Sequence, residues 1–168
     1  MANPRERRLL SDFEKVKNLV SESGGTLKLI KTTGNPPTSY TVEYHCPGID
    51  INSSDQVFLR NLHQAEFNLG LNYPFEKPTA RMLTPIFNPH VFSSGAICLG
   101  SVWSPTETLD NLILRIGALI QLDPKVLDEK SPANVTANLW VQKNRQKLPL
   151  GTIGFKVAKT PPNRIQWF

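Results

Sequence analysis

The stretch Thr84-Pro85-Ile86-Phe87-Asn88-Pro89-His90-Val91-Phe92-Ser93-Ser94-Gly95-Ala96-Ile97-Cys98-Leu99-Gly100 separates two parts of the chain whose apolar residues recur with different periods. Before it, Tyr40, Val42, Tyr44 and Cys46 alternate with Thr41, Glu43 and His45, and Ala65, Phe67, Leu69 and Leu71 alternate with Gln64, Glu66, Asn68 and Gly70. Such alternation is that of strands with one buried face. After it, Leu109, Leu112, Ile113, Ile116, Leu119 and Ile120 fall on one side of a 3.6-residue period, a helix broad enough to cover a sheet. A run of strands followed by helices predicts an α+β fold.

Working outward, Asn3-Pro4-Arg5-Glu6 reads as a helix start, with Asn3 as cap, Pro4 in the first position and Glu6 reaching back. Leu9, Phe13, Val16 and Val20 continue that helix until Gly24-Gly25, and its outer face carries Arg5, Arg7, Arg8, Lys15 and Lys17. Thr26 to Thr32 and the Tyr40 to Cys46 run form a hairpin around Gly34-Asn35-Pro36-Pro37, and Pro47 to Asp55 reads as a loop. Thr79 to Leu83 makes a fourth strand after the proline-bracketed corner Tyr73-Pro74-Phe75-Glu76-Lys77-Pro78. Together these predict an N-terminal helix and a four-stranded antiparallel meander. The central helix begins either from Ser104-Pro105-Thr106-Glu107 as a capping box or from Thr108, and Asp123-Pro124 ends it. A C-terminal helix is expected over 133–144. The expected domain spans 1–147, with a separate tail over 148–168 in which Ile153, Phe155 and Val157 form short alternating pieces before Thr160-Pro161-Pro162.

Composition narrows the function. The 168 residues suit one domain, and no apolar run nears the roughly 18 residues of a membrane span. The N-terminus is charged and lacks the apolar centre of a secretory signal, which predicts a reducing, cytoplasmic setting. The net charge is +5, yet the basic residues are dispersed and not interleaved with aromatics, so neither nucleic acid nor membrane is an expected partner. Cys46 and Cys98, the chain's two cysteines, form no C-x-x-C and no metal-ligand spacing. Cys46 shares its strand face with three bulky residues and reads as core. Cys98 sits among turn residues, and from its immediate neighbours Ile97 and Leu99 either a small piece of core or a reactive thiol is open.

The wider set of motifs bears on that choice. Tyr73-Pro74-Phe75 with Pro78, Asn88-Pro89-His90, Gly95-x-Ile97-Cys98-Leu99, Trp103-Ser104-Pro105 and Asp123-Pro124 before Pro132 resemble, in order and spacing, the ubiquitin-conjugating enzymes. The resemblance covers residues 27–144 and implies that family's α+β fold. It also implies that Cys98 accepts a ubiquitin-like modifier from an activating enzyme as a thioester, and that Asp128 helps to orient and deprotonate an incoming lysine. It puts Phe75, Ser104 and Pro105 where a ligase docks, and the first helix, with Arg5, Arg7 and Arg8, where the activating enzyme docks. It implies no cofactor for this chain. The family usually reads H-P-N before its cysteine; here the polar residues are exchanged, and Asn88, His90 or neither can be the oxyanion donor. With a short loop between Cys98 and Trp103 and an unusual C-terminus, this points to a divergent branch, a prokaryotic one being one alternative.

The chemistry sets requirements. A thiol of pKa about 8.5 is a few per cent thiolate near neutral pH, enough for thioester exchange. A lysine of pKa about 10.4 must lose its proton to attack, and the resulting oxyanion needs a donor worth on the order of 3 kcal/mol. Two other readings compete: an inactive module of the same fold that binds a ubiquitin-like protein, and a cysteine hydrolase pairing Cys98 with His90, His45 or His63.

Overall fold

The computed structural model describes residues 1–151 and 153–154. Its order is helix α1 (Pro4–Glu22), strands β1 (Leu27–Gly34), β2 (Pro37–Ile51), β3 (Val57–Asn68) and β4 (Thr79–Met82), then helices α2 (Leu109–Ile120) and α3 (Val135–Lys143) and a short 3-10 turn (Arg145–Lys147). The strands pair antiparallel in the order β1-β2-β3-β4 as one meander. This is the expected α+β architecture.

Among the described residues, two of the three α-helices start from a local cap. At α1 the capping box forms in full: the Glu6 N–H donates to Asn3 Oδ1 at 2.8 Å, and the Asn3 N–H donates to Glu6 Oε2 at 3.0 Å. At α3, Asn134 Oδ1 accepts from the Ala137 N–H at 3.0 Å. The start of α2 differs from both. Thr108 is its cap residue but makes no side-chain cap bond, and Ser104 stays in the preceding turn, its hydroxyl 2.7 Å from that of Thr106. The Leu109 N–H donates instead to Asp12 Oδ1 at 3.2 Å, so a carboxylate from α1 serves the positive end of α2.

The sequence pattern understates β2 and β3. Pro47 to Asp55 is not a loop: the ladder resumes at Gly48↔Arg60 and runs to Ile51↔Val57, with a register shift between His45 and Gly48. Proline cannot donate to a ladder, and the shift absorbs Pro47. The true turn is tighter, with Asn52 Oδ1 accepting from the Ser54 and Gln56 N–H groups.

One face of the sheet, carrying Tyr40, Val42, Tyr44, Cys46, Ala65 and Phe67, packs against the apolar side of α2 and against Leu9 and Val16 of α1. Cys46 is buried, and burial pushes its thiol up to about 12. A smaller cluster of Ile49, Phe87, Leu122, Ala137 and Val141 seats α3, and Leu148 and Leu150 pack on it. Phe155, Val157 and the Thr160-Pro161-Pro162 segment lie outside the described residues. Among the described residues no helix is long and apolar enough to cross a membrane.

Candidate functional site

The Thr84 to Gly100 stretch is pinned to the edge of the sheet. The Met82 N–H donates to the Gly95 carbonyl at 2.8 Å, the Ile97 N–H to the Ala80 carbonyl at 2.9 Å and the Cys98 N–H to the His90 carbonyl at 2.7 Å. Gly95 is required there: its φ is +91°, and a Cβ would lie 2.8 Å from the Met82 carbonyl oxygen. The extended backbone that buries Ile97 turns its neighbour Cys98 the other way, half-exposed, in a groove of about 160 Å³. His90, Arg115, Leu119, Val126, Asp128 and Ser131 line that groove with it.

Asn88 and His90 hold the groove's wall. Asn88 is only 1% exposed; its amide donates to the Leu119 carbonyl at 2.8 Å, and its Oδ1 accepts from the His90 N–H at 2.9 Å. His90 Nε2 accepts from the Asp128 N–H at 2.9 Å, which makes the ring neutral with its proton on Nδ1. The ring also hydrogen-bonds the Cys98 main chain. Burial is the largest influence on its pKa and lowers it, with Arg115 adding to the decrease and the Cys98 main chain and Asp128 opposing it. Asp128 is exposed at the rim, where its Oδ1 accepts from the Lys130 N–H at 3.0 Å. The structure thus brings Cys98, His90 and Asp128 to one opening, while Asn88 is buried behind its wall.

No histidine is paired with the Cys98 thiol among the described residues. His45 Nε2 lies 2.7 Å from Glu43 Oε1, His63 Nε2 lies 2.7 Å from the Arg60 carbonyl, and His90 Nε2 is taken by Asp128. The arrangement lacks the base a cysteine hydrolase needs.

The expected docking residues separate. Phe75 is 81% exposed, and Ser104 and Pro105 are exposed on the adjoining loop. The two loops are tied together, because Trp103 Nε1 donates to the Pro74 carbonyl at 2.8 Å. On α1, Arg7 is exposed and Arg5 half-buried, its Nη2 donating to the Gly70 carbonyl at 3.0 Å. Arg8 departs from the expectation of a basic outer face. Its Nε donates to Asp12 Oδ2 at 2.8 Å and its Nη2 to the Tyr73 hydroxyl at 3.0 Å, and it also donates to the Pro105 and Glu107 carbonyls. A fully buried Asp12 needs a cation beside it, and Arg8, one turn before it on the same face, supplies it.

Sequence reasoning missed Arg115. It pairs with Glu107 (Nη1 to Oε1, 3.3 Å), and its other terminal nitrogen, Nη2, is buried without a partner. Its position four residues before Leu119, which lines the groove, was the available signal.

A meander sheet backed by one covering helix, with a partly exposed cysteine in a groove beside that helix, defines an α+β domain with a reachable thiol. Residues 45–149 match the family model described as ubiquitin-conjugating enzyme, and the chain belongs to that family. It is similar to "Ubiquitin-conjugating enzyme E2 2" of Debaryomyces hansenii, 27% identical over 144 residues covering 83% of this chain and 77% of the relative. The protein of the same name from Candida albicans is also 27% identical, over 83% of this chain and 73% of its own length. "Ubiquitin-conjugating enzyme E2-34 kDa" of Saccharomyces cerevisiae is 24% identical over 60% of this chain and 38% of its own length.

Proposed function

We propose that this chain accepts a ubiquitin-like modifier from an activating enzyme as a thioester on Cys98 and passes it to an amine or to a ligase. The observation that carries this is the half-exposed Cys98 beside an exposed Asp128 in one groove. In the first step the Cys98 thiolate attacks the activating enzyme's thioester; a new C–S bond forms and the old one breaks. In the second, an amine attacks the carbonyl carbon, a C–N bond forms, Cys98 leaves as thiolate and the nitrogen loses a proton. Asp128 hydrogen-bonds the incoming amine and orients its lone pair. Asn88 and His90 act by bracing, fixing the wall of the groove through Leu119, Asp128 and the Cys98 main chain. The apolar Phe75 and the Ser104-Pro105 loop form the ligase-facing surface, and Arg5 and Arg7 at the start of α1 face the activating enzyme. Arg8 holds the two regions together from within. The setting is cytoplasmic.

A nonreducing gel with an activating enzyme, its modifier and ATP tests this. A dithiothreitol-sensitive adduct that disappears in Cys98→Ser is expected. No adduct with any cognate pair would favour an inactive binding module instead.

A further inference from the structure

We propose that Arg115 supplies the hydrogen-bond donor for the oxyanion that forms at the modifier's carbonyl when an amine attacks the Cys98 thioester. This rests on the thioester role of Cys98 proposed above. With the side chains of Asn88 and His90 committed to the groove wall, the oxyanion still needs a donor. Arg115 projects from the side of α2 that carries Leu119, four residues on, and both line the groove with Cys98. Glu107 holds one terminal nitrogen at 3.3 Å and so fixes the direction of the guanidinium.

The second nitrogen, Nη2, is buried with no acceptor. A buried donor left unmet costs on the order of 1–3 kcal/mol, so an acceptor that reaches Nη2 from the groove, which the 29%-exposed Arg115 side chain lines, recovers that cost. That gain is larger for an oxyanion than for the ground-state carbonyl, because the guanidinium's positive charge then faces a full negative charge instead of a dipole. Preference for the transition state over the ground state is what accelerates a step. A guanidinium also stays charged throughout the working pH range. That charge lies near enough to the groove wall to add to the lowering of the His90 pKa, which comes chiefly from burial.

In balanced form, the amine nitrogen bonds to the carbonyl carbon while the C=O π pair moves onto oxygen, against Arg115. The pair then returns, the C–S bond breaks, Cys98 departs as thiolate, and the nitrogen's proton passes to solvent.

The test is single-turnover discharge of the purified thioester to free lysine, over a range of lysine concentrations. Arg115→Ala is expected to lower the maximal rate roughly 100-fold, as loss of one oxyanion donor does, with the lysine KM within about twofold of wild type. Arg115→Lys, which keeps charge but not the fork, should recover part of the rate. If Arg115→Ala lowers the melting temperature, Arg115→Met, which keeps an aliphatic stem, takes its place. A maximal rate within about threefold of wild type, or a loss confined to KM, overturns the proposal. Wild-type protein that forms no thioester removes the role of Cys98 and this inference together; wild type that charges, with an unimpaired Arg115 variant, removes only the latter.

Discussion

Asp12 is the side chain whose loss the fold should feel most. It is fully buried and serves three partners at once: Arg8 through its Nε at 2.8 Å, the Tyr73 hydroxyl, and the Leu109 N–H at 3.2 Å. Asp12→Ala would leave the α2 start without any side-chain acceptor, since Thr108 supplies none, and would strand a largely buried guanidinium. Removing one partner of a buried ion pair costs about 3–5 kcal/mol. Arg8 keeps a side-chain exposure of 20% and its contacts to the Pro105 and Glu107 carbonyls, so the lower end, about 3 kcal/mol, applies. Asp12→Asn keeps an oxygen for the Leu109 N–H and loses the charge, for about 1.5 kcal/mol. With a urea slope of about 1–3 kcal/mol per molar, these correspond to midpoint decreases on the order of 1–3 M and 0.5–1.5 M respectively. Urea unfolding followed by fluorescence and by circular dichroism at one pH gives both numbers. If Asp12→Ala lowers stability by less than about 1 kcal/mol, or costs no more than Asp12→Asn, the carboxylate is not the tie between α1, Tyr73 and α2 described here.

The two thiols should react very differently. Iodoacetamide at neutral pH should add one label per native molecule, on Cys98, and a second on Cys46 only in denaturant; equal native labelling of both would contradict the burial of Cys46. Stability should also depend on pH through His63 and His90, both held below the ordinary histidine value mainly by burial. Because the unfolded chain then binds protons first, stability is level above about pH 6.5 and falls as pH drops from there through the folded values. Urea midpoints between pH 8 and pH 5 measure this slope, and His90→Gln should make it shallower; a midpoint that rises on acidification over that window reverses the sign.

Much of the architecture is written locally. The Asn3 and Glu6 capping box, the apolar side of α2 and the alternation from Tyr40 to Cys46 are each set by residues within a few positions of one another, and short-range periodicity exposes them. The outward turn of Cys98 was left open by its neighbours in sequence and follows from the pairing that buries Ile97 against Ala80. The motifs around Cys98 also carried the family resemblance that the match over residues 45–149 bears out.

Other features follow from contacts between residues far apart in the chain, and no local pattern carries them. Arg8 looked like an outer-face cation because helical spacing gives a face but not what lies against it; Asp12, Tyr73 and the Pro105 and Glu107 carbonyls turn it inward. The Leu109 cap comes from 97 residues away, and the continuation of β2 past Pro47 depends on a partner strand that tolerates a register shift. Sequence alone determined the order of elements and the covering helix, because each is a short-range consequence of side-chain period, while it left Cys98 open between core and reactive thiol. Only the tertiary structure decided that Asn88 and His90 are bound into the wall while Arg115, which lines the groove, carries a buried nitrogen without a partner, because satisfying a polar group requires a partner in space, whatever its distance along the chain.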